Sequence, residues 1–182
     1  AALVWGPETT MPEGTVVVPV ATDALAVVVN PANHQGPVTK DDLRALFSGQ
    51  TQDWAAWGQS AGAVQLVVRE DGSGPRRALL SLVMKDKKLS SSALIAASDM
   101  DVLDYVAKHQ GAVGIIAASN LQSKVRPLAV NDERPEPKAV HEGHYPLLAG
   151  IWLIYRQDGR GAALADFLKS AAGQELLAPY FA

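Results

Sequence analysis

The chain has 182 residues, 48% of them hydrophobic and 19% charged, a profile that folds into one substantial core or two small lobes and excludes a disordered protein. Cysteine is absent, which removes disulfide scaffolds, thiolate metal sites and thiol nucleophiles. The formal net charge of −3 argues against a general nucleic-acid surface, whose affinity rests on neutralising many phosphates with Lys and Arg, so any anion site must be local.

No apolar run approaches the roughly 20 residues of a bilayer-spanning helix, which excludes a membrane span. Ala1 to Gly6 lack a basic flank, so no signal peptide is expected in this chain, although a mature exported protein would already have lost one. In chain order, Leu3-Val4-Trp5 reads as a short strand and Gly6 to Gly14 as a loop punctuated by Pro and Gly. Thr15 to Val18 reads as a second strand that Pro19 ends. The uninterrupted apolar run Ala24 to Val29, closed by Asn30-Pro31, is expected as a strand buried on both faces.

Thr39-Lys40-Asp41-Asp42 supplies a capping hydroxyl and early carboxylates before Leu43, Leu46 and Phe47, whose spacing marks one apolar helix face that Gly49 stops. Val64 to Val68 is again strand-like. It runs into Arg69-Glu70-Asp71-Gly72-Ser73-Gly74-Pro75, after which Leu79, Leu80, Leu82 and Val83 resume helical spacing. Ser98 and Asp101 begin a helix with Val102, Tyr105 and Val106 on its apolar stripe, and Ala112 to Ala117 follows as a strand. Val125 to Val130 reads as a further strand, Asn131 to Pro137 as a loop, Leu147 to Tyr155 as a strand, and Gly161 to Ala172 as a closing helix burying Leu164, Phe167, Leu168 and Ala171. Strands alternating with helices at this spacing predict an α/β fold with a largely parallel sheet. Asn131 to Tyr145 and Pro19 to Asp23 are the candidate crossings between two lobes.

The strand, glycine loop and helix around residue 72 carry the chemistry. The first amides of a helix lack internal partners and the macrodipole adds about half a positive charge there, so such a turn can trap an anion. Gly72 and Gly74 would let the backbone approach a ligand, Ser73 adds a hydroxyl, and Arg69 offers a forked contact to two oxygens. Asp71 is expected to orient the Arg69 guanidinium or to accept a hydrogen bond from a protonated ligand such as hydrogen phosphate. The competing reading is a plain polar turn in which Asp71 or Ser73 caps the helix.

The segment Arg69 to Gly74 resembles the phosphate-contacting loop of the binding proteins that serve ABC-type phosphate importers. The likeness runs along most of the chain, through Val20 to Val27 with Asn30-Pro31, Leu43 to Gly49 with Trp54, Tyr105-Val106 with Gly111 to Ile115, and Gly173-Gln174-Glu175. The resemblance implies a type II periplasmic-binding-protein-like α/β fold, two lobes with mostly parallel mixed sheets. Residues 1–22 and 146–182 would form an incomplete first lobe, and residues 23–145 a second lobe carrying the loop. It implies phosphate contacts from Arg69, Asp71, Ser73 and Gly74, to which the reading of the loop itself adds Gly72. Where the family usually has threonine, this chain has Pro75, which offers neither N–H nor hydroxyl, leaving Arg76 as the candidate replacement donor.

The resemblance also implies capture of phosphate or a related oxyanion, an ABC importer permease as partner, and a periplasmic or cell-surface location. A fragment, a reduced family member, or a dimer or docking partner replacing the first-lobe units would each account for the short first lobe. The alternative is a sensor or interaction domain that has lost or altered ligand binding. Neither a metal nor a cofactor is expected: His141-Glu142-Gly143-His144 reads as a loop, and His34 and His109 as surface groups. Nor is enzymatic activity, since Ser90, Ser91 and Ser92 have no adjacent base. Trp5, Trp54, Trp57 and Trp152 read as packing groups, and Lys85 to Lys88 as a solvated turn.

Overall fold

A computed structural model describes residues 1–6, 11–157, 159, 161–179 and 181; the loop expected over Gly6 to Gly14 lies partly outside them. Among the described residues seven strands form one open sheet: β1 (Ala2–Gly6), β2 (Thr15–Val29), β3 (Gln65–Arg69), β4 (Leu94–Ala96), β5 (Ala112–Ala117), β6 (Arg126–Pro127) and β7 (Leu148–Arg156). Their order is β1-β7-β2-β5-β3-β4, with β6 paired to β2. Six α-helices accompany them among the described residues: α1 (Lys40–Phe47), α2 (Gly74–Ala78), α3 (Asp99–Lys108), α4 (Pro137–His141), α5 (Gly161–Lys169) and α6 (Ala171–Leu177).

The sheet is mixed, but the expectation of a mostly parallel one is corrected. Among the described strands only β3 pairs in parallel, with β4 and with β5, whereas β1/β7, β2/β7, β2/β5 and β2/β6 are antiparallel. The reason is β2, which runs through the whole sheet and is opposed by β7 along its first part and by β5 along its second. Pro19 therefore does not end a strand. It sits exposed inside β2, where the register shifts between Pro19 and Ala21 and β7 is the neighbour on one side only. A missing N–H is tolerated at such an edge bulge.

From Ala24 onward β2 is buried on both faces, as its unbroken apolar run predicted. Leu25, Val27 and Val29 point into one cluster with Leu43, Phe47, Trp54, Leu79 and Leu128, while Ala26 and Val28 face Val102, Leu103, Val106 and Ile116. Two-residue alternation thus feeds two cores from one strand. Each fully buried Val or Leu contributes roughly 1.5–3 kcal/mol relative to an exposed one, an upper estimate. A third cluster sets Val18, Val20, Ile151 and Leu153 against Ala165 and Leu168 of α5.

Helix starts follow the sequence. Thr39 forms a reciprocal capping box with Asp42, and Ser98 accepts a hydrogen bond from Asp101 N. The expected closing helix is instead two, divided at Ser170, whose hydroxyl caps α6. Of the residues expected to be buried only Leu168 is; Leu164 and Phe167 are 42% and 45% exposed, Ala171 is exposed, and α5 also buries Gly161 and Ala165. The stretch after Asn131 also contains α4, which Pro137 opens. Past α2 the helix continues with π geometry over Leu79–Met84.

Candidate functional site

The helices that follow β3 and β4 lie on opposite faces of the sheet. Ala78 of α2 and Leu79 just beyond it belong to the first cluster, and α3 to the second. The carboxyl ends of β3, β4 and β5 are left open between them, and in open α/β sheets that is where ligands bind. A cleft of about 460 Å3 lies there. Arg69 and Glu70 reach it from β3, Ser73 and Gly74 from the start of α2, Asp99 from the start of α3, and Trp5 from β1.

Arg69 is the charged centre. Its Nε and Nη2 donate to the two carboxylate oxygens of Glu70, each at 2.9 Å, and Nη2 also donates to the Ala97 carbonyl at 3.1 Å. On the other side Nη1 donates to Asp99 Oδ1. Burial opposes the guanidinium charge, but hydrogen bonds and Coulombic attraction from Glu70 and Asp99 outweigh it and hold Arg69 more firmly protonated than usual. Asp99 is itself fixed, since its other oxygen accepts from Ala117 N at 3.0 Å and Asn120 Nδ2 at 2.8 Å. The arginine is therefore oriented by Glu70 and Asp99, and the orienting role expected for Asp71 is corrected.

Asp71 instead projects into solvent, with its Oδ1 2.8 Å from Arg76 Nε. Arg76 turns back under the loop and donates from Nη1 to the Arg69 carbonyl at 3.0 Å. Its guanidinium braces the strand-to-helix turn. Neither Asp71, Gly72 nor Arg76 lines the cleft; Arg69, Ser73 and Gly74 do.

The two glycines serve different ends. Gly72 has φ +81, the left-handed conformation the turn requires. Gly74 makes room for protein, not for a ligand: a Cβ there would overlap the Trp5 ring and come within 2.7 Å of the Trp5 carbonyl. Arg77 reinforces that approach by donating to Gly72 O and to Trp5 O, both at 2.7 Å, so loop and β1 are clamped together. The first turn of α2 is partly spent on itself, because Ser73 Oγ accepts from Arg76 N at 3.4 Å, Ser73 O accepts from Arg77 N, and Pro75 has no N–H. The helix terminus thus offers fewer amides than the loop pattern suggested.

Sequence reasoning missed Glu70, Asp99, Asn120 and Asp23. Buried Asp23 accepts hydrogen bonds from Trp5 Nε1, Ala24 N, and both the amide and hydroxyl of Ser119. It ties β1, β2 and the end of β5 together between the main cleft and a second hollow of about 290 Å3. Only the position of Glu70 beside Arg69 gave a local signal; the others meet through long-range folding. Of the tryptophans, Trp54 is fully buried and donates to Gly111 O, Trp57 packs edge-on against it, and Trp152 donates to Gly6 O. His109 is not a plain surface group, since it stacks on Tyr105 at 3.9 Å. Among the described residues no group of three His, Asp or Glu side chains is placed to hold a metal ion.

Comparison with known proteins bears on this geometry. A family profile described as a PBP superfamily domain matches residues 10–174. Phosphate-binding protein PstS of Bacillus subtilis (strain 168) is 30% identical over 154 residues, covering 83% of this chain and 51% of its own length. That of Borreliella burgdorferi is 18% identical over 171 residues, covering 86% of this chain and 61% of its own. The chain thus spans only about half to three-fifths of these relatives.

Among solved structures, an ABC-type phosphate transport receptor from Vibrio cholerae superposes with a TM-score of 0.85 at 23% identity, over 98% of this chain and 78% of that one. A putative phosphate ABC transporter substrate-binding protein with bound phosphate from Clostridium perfringens gives 0.87 at 22%, over 98% and 77%. At such identities these two establish the fold alone. By its profile match and its mixed α/β architecture, the chain belongs to the PBP superfamily and has the type II periplasmic-binding-protein fold.

Proposed function

We propose that the chain captures phosphate or a related oxyanion and delivers it to an ABC-type importer, without turnover. The observation that carries this reading is Arg69, presented at the carboxyl ends of three parallel strands in an open cleft and anchored from behind by buried Asp99. A planar guanidinium so held matches two oxygens of a tetrahedral anion, and a low-dielectric setting strengthens the contact. Arg69, Ser73 and Gly74 are the proposed contacts; Asp71, Gly72 and Arg76 shape the loop. That the PstS relatives are phosphate-binding proteins supports the same ligand class.

The proposed division places residues 1–22 and 146–182 in one lobe and 23–145 in the other. It is supported by the exchange of β2 partners from β7 to β5 between Ala24 and Leu25. An importer permease as partner and a periplasmic or cell-surface location follow from the same reading. Calorimetric titration with phosphate, sulfate and arsenate at moderate salt tests it. At least one should give saturable heat that Arg69→Lys weakens about tenfold or more, because lysine keeps the charge and loses the fork. No heat from any of the three would refute the receptor reading.

A further inference from the structure

We propose that Glu70 is a built-in competitor of the ligand: its carboxylate occupies the edge of the Arg69 guanidinium that the oxyanion takes, and binding exchanges one for the other. The inference rests on the cleft being an oxyanion site.

A guanidinium offers five N–H groups, and its Nε/Nη2 edge presents two of them in parallel. Glu70 spans that edge with both oxygens at 2.9 Å. Asp99 takes the opposite end, at Nη1. An incoming tetrahedral anion that wants the fork must therefore displace one of two carboxylates, and they are not equally free to leave. The Asp99 side chain is 9% exposed and held by Ala117 N and Asn120 Nδ2, so pulling it from Arg69 would strand a buried charge. The Glu70 side chain is 44% exposed, lines the cleft, and is held by Arg69 and by its own backbone amide. It can swing into water and be solvated there.

The exchange is chemically like for like, two oxygens for two oxygens. Net affinity is then the difference between ligand and Glu70, and Glu70 has the advantage of being tethered one residue away. A simple carboxylate gains little over it. A tetrahedral anion has further oxygens that can reach Ser73 and the Gly74 amide, so Glu70 sets a threshold favouring such ligands over monocarboxylates. The hydrogen bond from Arg69 also holds the Glu70 carboxyl below the usual range, so the competitor is ionised at neutral pH.

The test is calorimetric titration of inorganic phosphate into wild type, Glu70→Gln and Glu70→Asp at one ionic strength, with melting curves to show that each variant is folded. Glu70→Gln removes the charged competitor and should tighten binding by about two- to fivefold, the worth of an exposed ion pair. Glu70→Asp keeps the charge but shortens the arm so that it no longer spans the fork, and should also tighten binding. If wild type binds phosphate and Glu70→Gln binds equally or more weakly, Glu70 merely orients Arg69 and the competitor role is overturned while the receptor reading survives. If only Glu70→Gln tightens binding, the effect is one of field and displacement is overturned. No binding by wild type or either variant overturns the receptor reading, and the competitor role with it.

Discussion

Asp99→Asn is the substitution that most directly probes how the cleft is built. The carboxylate accepts from Arg69 at one oxygen and from Ala117 N and Asn120 Nδ2 at the other. An amide of the same shape can keep only one of these two sets. If its oxygen faces Ala117 N and Asn120, its NH2 group meets a guanidinium N–H, donor against donor. Breaking a buried ion pair by removing one partner typically costs about 3–5 kcal/mol. Here the side chains are 14% and 9% exposed, Arg69 keeps Glu70, and the amide retains one acceptor. We therefore predict a loss of about 2–3 kcal/mol. In urea unfolding with a slope near 2 kcal/mol/M that lowers the midpoint by about 1–1.5 M. Because Arg69 would also lose its anchor, oxyanion affinity should fall in the same variant, opposite in sign to the effect of Glu70→Gln. A midpoint shift below about 0.3 M at unchanged slope would show that Asp99 does not hold the arginine.

Gly74→Ala should destabilise the protein by about 1–3 kcal/mol, as overpacking does, because the new methyl meets the Trp5 ring and carbonyl. Tryptophan emission should shift with it, and a variant as stable as wild type with unchanged emission would count against the close approach of β1 to the loop. Tyr145 is fully buried and donates to the Leu25 carbonyl at 3.0 Å, and burial raises its pKa well above the ordinary value. Its folded pKa being the higher, this stabilisation is complete below about pH 10, the unfolded value, and is lost as pH rises toward the folded one. Tyr145→Phe should cost about 1 kcal/mol at neutral pH and flatten the alkaline decline in stability; identical alkaline limbs for variant and wild type would refute the assignment.

Much of the fold was legible locally. Capping boxes, apolar stripes and β-branched runs state which backbone conformation lowers the energy of a short segment, and α1, α3, β3, β5 and β7 appear close to where those signals placed them. The strand, turn and helix around Gly72 were equally clear, because an αL turn, a capping serine and a proline at the first helical positions are local requirements. Where a local signal depends on its neighbours it misled. Pro19 breaks a ladder only if its N–H side is paired, and the open edge of β2 decided that it is not. Leu164 and Phe167 fit an apolar helical stripe, yet the break at Ser170 and the packing of α5 on β2 and β7 left them exposed.

By itself the sequence determined an α/β chain with a glycine turn and a capped helix start after its third strand, because backbone conformation there depends on only a few neighbours. Tertiary structure alone decided how the turn is wired. It brought Asp99 and Asn120 to Arg69, turned Arg76 and Asp71 away from the cleft, and set Gly74 against Trp5. Hydrogen-bond partners of a charged group are chosen by whatever the fold delivers within about 3 Å, and a residue 30 positions away leaves no periodicity or local pattern by which to foresee it.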